Sequence, residues 1–307
     1  MIKKLNTANN SHSFLAIFFL FSTFFVQARD LTEIRADGVL RHIGVPYANF
    51  VTQYKQGNKT IEAGLDIELM KGFAKHLGVR YEYVEANWAN AFTLLNGESA
   101  HYKNKKIIIG QHKQVIAGDV IANGATILDW RKKVVDFSDE YFPSAVWLIA
   151  RADSSLHPIK PTGSIEEDIK QVKALINKVN VLAMKHSCLD PDLYNLQQTG
   201  ANLIFPVTAR KLNEMIPAIL NDDAESTLLD VPDTLIALQK WPGEIKVIGP
   251  ISKEQRMAVA FRKNSPELRQ AFNLYLRKRI KDGTYNQLVK KYYPSVFNFY
   301  GDFFTPK

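Results

Sequence analysis

Residues 122–141 read ANGATILDWRKKVVDFSDEY, and this stretch decides how the chain is interpreted. A run of small residues is followed by a hydroxyl at Thr126, by Arg131, and by an aromatic and acidic close. Small residues let backbone N–H groups approach a ligand, and an arginine supplies a planar fork of donors that fits a carboxylate. Together these residues predict a binding site for a small organic anion.

The segments on both sides of this stretch follow in an order that is specific as a series. The upstream segments are IGVPYANF at residues 43–50, GLDIELMKGFAKHLG at residues 64–78, and Trp88. The downstream segments are VLAMKHSC at residues 181–188, STLLDVP at residues 226–232, and DGTYNQLVKKYYP at residues 282–294. The series resembles the bacterial extracellular solute-binding proteins that serve polar amino-acid ABC importers. The resemblance covers essentially everything after residue 30.

The resemblance implies an α/β protein with the two-lobed type II periplasmic-binding fold. Each lobe is expected to be a mostly parallel sheet flanked by helices, with a two-strand hinge between the lobes. The implied first lobe holds residues 29–145 plus 254–307, and the second holds residues 146–253. Residues 97–118 form a longer link than is usual in the family, and we interpret them as a solvated surface extension.

Strands and helices alternate along the chain, which independently predicts parallel α/β sheets. The predicted strands are residues 39–45, 79–84, 181–184, 203–207, 228–229 and 245–248. The predicted helices are residues 66–77, 191–198, 212–220 and 233–240, with a long one beginning at Pro266 after Ser265 as its N-cap. Gly78 is expected to end the first helix, and Pro217 to kink or shorten the third.

Composition sets limits on the function. The chain has 307 residues, 46% apolar and 23% charged, which is an ordinary balance for a soluble globular protein. Its net charge of +8 is spread along the sequence, so we expect no nucleic-acid partner. Cys188 is the only cysteine, so no internal disulfide can form. We expect no metal and no cofactor.

Residues 1–28 are typical of a secretory signal peptide. Lys3 and Lys4 form the positive start, a largely apolar run follows at residues 14–26, and Val26-Gln27-Ala28 is a small-x-small cleavage site. The run is short for a membrane span, although an uncleaved N-terminal anchor is the alternative. No cysteine lies near the cleavage point, which excludes a lipoprotein. We therefore expect a soluble periplasmic protein.

The resemblance implies a role for residues of the first lobe. Arg131 would hold the ligand α-carboxylate, with Thr126 and the Gly124 backbone completing the cradle. Tyr47 and Trp88 would sandwich the ligand side chain. The alternatives are that Arg131 pairs on the surface with a nearby aspartate, Asp129 or Asp136, that Thr126 caps a helix, and that both aromatics belong to the core.

The second lobe is expected to contribute Asp230 and the turn that contains Met184, Ser187 and Cys188. Asp230 ends an apolar strand and would hold the ligand α-ammonium, as in the family; its alternative is to cap the helix that follows. His186 stands where the family has a glycine, and we assign it no role.

The ligand side chain is expected to be neutral or acidic. Binders of basic amino acids carry an acid shortly before the tyrosine that corresponds to Tyr47, whereas residues 43–46 here read IGVP. A cationic side chain would therefore lack a counter-charge.

We expect a monomeric, non-enzymatic binding protein that captures a polar amino acid or similar zwitterion and delivers it to an inner-membrane ABC permease. One alternative is a stand-alone sensor, similar to the N-terminal half of membrane-bound lytic murein transglycosylase F or to the sensor domains of some histidine kinases. A less favoured alternative is a cyclohexadienyl dehydratase, which needs a lysine and a glutamate where this chain has Val146 and Asp233.

Overall fold

The computed structural model describes residues 29–110, 114–206 and 212–305. The predicted signal peptide lies outside these residues, as does the end of the strand predicted at residues 203–207. Within the described ranges, no helix is both long enough and apolar enough to cross a membrane.

The strands follow one another with helices between most of them. In chain order they are β1 (Val39–Gly44), β2 (Thr52–Gln56), β3 (Lys59–Ala63), β4 (Arg80–Glu85), β5 (Ala100–Lys103), β6 (Lys106–Ile109), β7 (Val120–Ile121), β8 (Asp136–Phe137), β9 (Phe142–Ser144), β10 (Val146–Arg151), β11 (Asn180–Leu182), β12 (Asn202–Ile204), β13 (Ser226–Asp230), β14 (Ile245–Pro250), β15 (Gln255–Met257) and β16 (Ala260–Phe261).

The α-helices are α1 (Leu31–Asp37), α2 (Leu65–Leu77), α3 (Ala91–Asn96), α4 (Asp129–Lys132), α5 (Ile165–Leu175), α6 (Met215–Leu220), α7 (Val231–Lys240), α8 (Pro266–Lys281), α9 (Thr284–Tyr292) and α10 (Val296–Tyr300). Short 3-10 helices occupy Pro191–Tyr194, Leu196–Gln198, Leu212–Glu214 and Gly301–Phe304. The α-helix predicted at residues 191–198 is therefore wrong in type, since two 3-10 segments meet there at Asn195.

Two five-stranded sheets organise these elements into two lobes. The first sheet has the order β4-β1-β7-β16-β8, in which β1 is parallel to β4 and β7 while β16 is antiparallel to both its neighbours. The second has the order β12-β11-β13-β10-β14, in which β11 is parallel to β12 and β13 while β10 is antiparallel to both its neighbours. We call the bodies around them the first and second lobes.

Two antiparallel strands connect the lobes. β9 leaves the first lobe and pairs with β15, which returns from the second lobe. Phe142 in β9 contacts Phe50 and Tyr293 of the first-lobe core, at ring-centroid distances of 5.1 and 4.9 Å. The predicted two-lobed fold with a two-strand hinge is therefore confirmed, while the residue bounds of the lobes stay a prediction. The sheets are mixed rather than mostly parallel, because β16 and β10 run antiparallel to their neighbours.

Helix ends follow the predicted signals in part. Gly78 ends α2 with a left-handed φ of +76°, as expected of a C-terminal glycine. Ser265 occupies the N-cap position of α8 and Pro266 its first helical position, as predicted, but the Ser265 hydroxyl donates to the carbonyl of Arg29 and does not cap the helix. The Asp30 carboxylate accepts from the backbone N–H groups of Glu267 and Leu268, so a distant residue caps this helix.

The link at residues 97–118 is more than a solvated extension. Its strands β5 and β6 form a hairpin whose Asn104 N–H donates to Asp192 of the second lobe at 3.1 Å. The His101 ring meets His186 of the second lobe edge to face at 5.0 Å. The exposed lysines of the hairpin are solvated as predicted, but its two lobe-to-lobe contacts place it across the rim of the cleft.

Candidate functional site

Three neighbouring strands of the first sheet end at the same edge. β4, β1 and β7 are adjacent and parallel, so their carboxyl ends lie together where α/β proteins bind ligands. Trp88 follows β4, Tyr47 follows β1, and Asn123 and Gly124 follow β7. Both predicted aromatic residues and the start of the small-residue stretch therefore lie at this edge.

Asp230 meets this edge from the second lobe. It is the last residue of β13, and its side chain caps α7 by accepting from the Asp233 N–H at 3.3 Å. The same carboxylate accepts a short hydrogen bond from the Tyr47 hydroxyl and lies 3.5 Å from the Cys188 Sγ. The helix-capping role weighed for Asp230 is therefore observed, and the same side chain contacts the opposite lobe, while its contact with a ligand ammonium stays a prediction.

Arg131 is fully buried, at 0% exposure. Asp129 pairs with Lys132 at 3.3 Å and Asp136 lies 4.0 Å from Arg269, so the alternative of a surface pair for Arg131 is wrong. One guanidinium nitrogen, Nη1, donates to the Thr126 carbonyl at 2.9 Å. Within the described residues, Nε and Nη2 have no hydrogen-bond partner. A buried guanidinium with two unused donor nitrogens is suited to a carboxylate.

Aromatic rings surround this guanidinium. Its Cζ lies 4.9 Å from the ring centre of Trp88, 5.5 Å from that of Trp130 and 5.7 Å from that of Phe92. The faces of aromatic rings attract a cation but carry no negative charge and no strong hydrogen-bond acceptor. They therefore hold the Arg131 guanidinium in place and leave its charge and its free N–H donors available. Burial lowers the pKa of Arg131, while Cys188 and Tyr194 act in the opposite direction.

Thr126 and Gly124 differ in what they offer a ligand. The Thr126 hydroxyl is buried and unpartnered among the residues described, whereas Leu128 occupies the N-cap of α4. The Gly124 N–H donates inward to Asp66 at 2.8 Å and to the Tyr141 hydroxyl at 3.1 Å, so it is not free for a carboxylate. A Cβ on Gly124 would lie 2.5 Å from the Phe50 ring, so the glycine provides room at a φ of +64°.

The serine side chain of the second-lobe turn forms hydrogen bonds within the turn itself. The Ser187 hydroxyl donates to the Met184 carbonyl at 2.9 Å and accepts from the Leu189 N–H at 3.0 Å, and Met184 is half-buried. His186 has a φ of +65°, the left-handed conformation that glycine adopts most easily. The histidine therefore adopts a conformation that glycine would take with less strain, and its N–H donates to Asp190 at 2.9 Å.

Burial dominates the protonation of the second-lobe groups. It raises the pKa of Asp230 to about 6, although hydrogen bonds from Tyr47, Asp233 and Cys188 favour the carboxylate. Burial, followed by the charge of Asp230, raises the pKa of the Cys188 thiol, which therefore stays protonated at neutral pH. The same two causes raise the pKa of Asp233 well above its ordinary range.

Several residues at this site were not predicted from the sequence. Trp130 and Phe92 complete the aromatic surroundings of Arg131, and the Tyr194 hydroxyl donates to the Cys188 carbonyl at 2.5 Å. Trp130 adjoins Arg131 in sequence and could have been suspected from that position. The other two reach the site through tertiary packing and carry no local signal.

The lobes touch across the cleft. Besides the bond between Tyr47 and Asp230, the Ala48 N–H donates to the Asn213 side-chain oxygen at 2.8 Å. These contacts, together with the hairpin, describe a closed arrangement around Arg131.

The family of this chain follows from residues 113–295, which match the bacterial extracellular solute-binding proteins, family 3. The chain belongs to this family. A solute-binding role is therefore shared with its relatives, and the expected family resemblance is confirmed. Membership also implies a periplasmic or secreted protein.

Curated relatives of this family-3 protein include binders of different amino acids. It is 24% identical over 246 residues to the arginine-binding extracellular protein ArtP of Bacillus subtilis, covering 78% of this chain and 81% of ArtP. It is 24% identical over 247 residues to the L-cystine-binding protein TcyJ of Escherichia coli, covering 78% and 77%. A third relative, membrane-bound lytic murein transglycosylase F of Desulfosudis oleivorans, is 24% identical over 272 residues, covering 88% of this chain but 52% of the transglycosylase.

Solved structures agree with the fold of this family-3 protein. A mutant of ArgBP from T. maritima superposes with a TM-score of 0.67 at 22% identity, covering 86% of this chain and 99% of ArgBP. The ancestral amino acid-binding protein AncCDT-1, a precursor of cyclohexadienyl dehydratase, gives a TM-score of 0.63 at 24% identity, covering 86% and 98%. At these identities the likeness concerns the fold alone.

Proposed function

We propose that this protein captures a polar amino acid, or a similar small zwitterion, between its two lobes. The observation that carries the proposal is Arg131, a fully buried cation whose Nε and Nη2 lack partners among the described residues. A ligand carboxylate would use both donors and would offset the cost of burying the charge.

The opposite charge of the ligand has a natural partner in Asp230. Cys188 lies beside Asp230, and the charge of Arg131 also acts on its thiol. A buried cation and a buried carboxylate at one cleft suit a ligand that carries both an ammonium and a carboxylate. Tyr47, Trp88, Thr126, Gly124, Met184 and Ser187 remain the predicted lining.

Closure of the lobes would convert binding into a signal for transport. A ligand held by both lobes favours the closed form over the open one, and the closed form would dock on an inner-membrane ABC permease. The protein would act as a cleaved, non-lipidated periplasmic monomer that needs neither metal nor cofactor and performs no chemistry.

Calorimetric titration of the mature chain against the common amino acids tests this function. We expect saturable one-to-one binding of at least one amino acid, recovered unchanged, with a smaller radius of gyration in solution scattering. Absence of binding across the panel would contradict the proposal.

A stand-alone sensor is the second candidate, favoured by the relative named lytic murein transglycosylase F. Muropeptides added to the same titration distinguish the two functions.

Dehydration is less favoured, because Val146 is a fully buried apolar residue of β10 and pairs with Asp230 through the backbone. Product analysis after incubation with arogenate and prephenate should show no turnover.

A further inference from the structure

The carboxyl edge of the first sheet holds one polar side chain that the proposed site does not yet use. Asn123 is fully buried, at 0% exposure, and among the described residues neither its amide nitrogen nor its amide oxygen has a hydrogen-bond partner. A buried carboxamide left without partners costs free energy, and such groups are normally satisfied. Something outside the described chain is therefore expected to satisfy it.

The backbone on both sides of Asn123 is tied into the core. The Ala122 carbonyl is held by the buried His42 ring at 2.6 Å, and the Ala122 N–H donates to the Ile43 carbonyl at 3.3 Å. The Gly124 N–H donates to Asp66 at 2.8 Å. Asn123 is thus fixed in position while its own side chain stays unpaired, which is the arrangement of a recognition residue rather than of a structural one.

Its place in the sheet puts Asn123 among the residues predicted to hold the ligand side chain. β4, β1 and β7 are consecutive in the sheet, and Trp88, Tyr47 and Asn123 follow their respective ends. The Trp88 indole N–H is also buried and unpartnered in the part of the chain that the structure describes. If Arg131 and Thr126 bind the α-carboxylate, three unpaired groups remain for the ligand side chain. They are two donors, the Asn123 amide nitrogen and the Trp88 indole N–H, and one acceptor, the Asn123 amide oxygen.

The unpaired donors and acceptor at this edge favour an uncharged ligand side chain over an ionic one. Asp66 accepts from the Gly124 N–H and the Tyr141 hydroxyl with Oδ2, while its Oδ1 is buried without a partner among the described residues. Glu85, at the end of β4, is exposed and accepts from Gln53 at 3.2 Å. A cation would meet the N–H donors of Asn123 and Trp88 there. A carboxylate would leave the amide oxygen of Asn123 unpaired. A carboxamide satisfies both atoms, since it donates one hydrogen bond and accepts another.

We propose that Asn123 is the specificity-determining residue of the cleft and that it pairs with a carboxamide on the ligand side chain. The assignment rests on the proposed function and narrows its ligand class to a neutral amino acid of the glutamine or asparagine type. The Trp88 indole N–H would donate a second hydrogen bond to the carbonyl oxygen of that ligand carboxamide.

The test compares calorimetric affinities of the mature chain for glutamine, asparagine, glutamate, lysine and arginine. Wild type should prefer a carboxamide ligand. Asn123→Leu and Asn123→Ala should weaken that ligand roughly ten- to a hundredfold, because both remove the pairing groups. Asn123→Asp should shift the ranking toward lysine and arginine. Circular dichroism of each variant verifies folding, and Asn180→Asp, which adds the same charge at the start of β11, serves as the control and should leave the ranking unchanged.

The outcomes separate this assignment from the function on which it rests. If wild type binds an amino acid through Arg131 but all Asn123 variants keep its affinity within twofold, the assignment is overturned and the binding function stands. A wild-type preference for lysine or arginine overturns the carboxamide class. If no amino acid binds, the proposed function fails and the assignment fails with it.

Discussion

Tyr47 and Asp230 are 183 positions apart in the chain, yet the tyrosine hydroxyl donates directly to the aspartate carboxylate. Tyr47 follows β1 of the first sheet and Asp230 ends β13 of the second, so this bond joins the two lobes. Both side chains are buried. The carboxylate proposed to hold the ligand ammonium is therefore also a closing contact of the lobes.

Tyr47→Phe should open the ligand-free protein. The substitution keeps the ring, which stacks on Phe50 at 5.8 Å, and removes only the hydrogen bond to Asp230 of the second lobe. A hydrogen bond to a charged acceptor is worth about 1.5–3 kcal/mol, so the closed form loses much of its advantage. Solution scattering should show a larger radius of gyration without ligand. Tyr54→Phe, on an exposed position of β2, is the control, and equal scattering from both variants would contradict the expectation.

Arg131→Ala should abolish most ligand binding, with a loss of about 2–5 kcal/mol, because it leaves a desolvated carboxylate unpaired. Arg131→Lys should recover only part of the affinity, since an ammonium lacks the planar fork. Lys132→Ala removes the neighbouring exposed cation and should have little effect. Calorimetry measures all three, and wild-type affinity in the alanine variant would refute the role of Arg131.

Ligand affinity should rise with pH between about 5 and 7. Burial raises the pKa of Asp230 to about 6 in the ligand-free protein, so at pH 5 the carboxyl is mostly protonated and uncharged. An ammonium favours the carboxylate, so binding releases a proton and strengthens by up to about tenfold per pH unit below the pKa. Asp230→Asn should bind more weakly at all pH values and lose this dependence. A flat wild-type profile would argue against Asp230 as the ammonium partner.

Conformational stability should change with pH in the opposite direction because of Asp66. Burial raises its pKa from 3.8 to about 7, with hydrogen bonds from Tyr141 and Gly124 offsetting part of the effect. A carboxyl whose folded pKa is raised stabilises the fold below its unfolded pKa, and this contribution is lost as pH rises through about 7. The linkage amounts to at most roughly 4 kcal/mol.

Asp66→Asn should flatten that dependence, since the amide keeps an oxygen for the Gly124 N–H and never ionises. Denaturant unfolding at pH 4 to 8 measures the slope. Glu68→Gln provides a control of opposite sign: burial acts to raise the pKa of Glu68, but the hydrogen bonds from Lys291 and Tyr292 and the nearby lysine charges together lower it. An unchanged slope in the Asp66 variant would show that another group titrates.

The fold was predictable because its signals are local and repeated. The alternation of strands and helices placed β1, α2 and β13 to within a few residues, and Gly78 marked a helix end by its conformational freedom. The N-cap position of α8 at Ser265 was predicted, but the hydrogen bonds from its first turn to Asp30 were not, because Asp30 lies more than two hundred positions before it. No local pattern encodes such a contact.

Part of the candidate site carries local signals in the sequence, and part does not. Arg131, Thr126 and Asp230 stand in or beside recognisable segments, whereas Phe92 and Tyr194 reach the site only by packing. Gly124 shows the limit of a residue-type argument, since its N–H is consumed by the buried Asp66. Asn123 lay within the opening stretch but gave no signal until its burial and lack of partners were visible.

The hairpin of β5 and β6 should slow ligand release. It belongs to the first lobe, yet the Asn104 N–H donates to Asp192 and the His101 ring contacts His186, both in the second lobe. Each contact forms only when the lobes are close, so each stabilises the closed form without touching the ligand. A hydrogen bond of this kind is worth about 0.5–1.5 kcal/mol. Asp192→Ala and His101→Ala should therefore each speed dissociation by roughly two- to tenfold, because the opening step becomes easier.

Stopped-flow displacement of bound ligand measures that rate directly. Lys105→Ala is the matched control, since it alters an exposed residue of the same hairpin that lies outside both contacts. The association rate should change little, because an open cleft admits the ligand whether or not the hairpin can later close. A double variant lacking both contacts should dissociate faster than either single one, since the two contacts involve different residues. Dissociation rates equal to wild type in all three variants would show that the hairpin lies across the cleft without holding it closed.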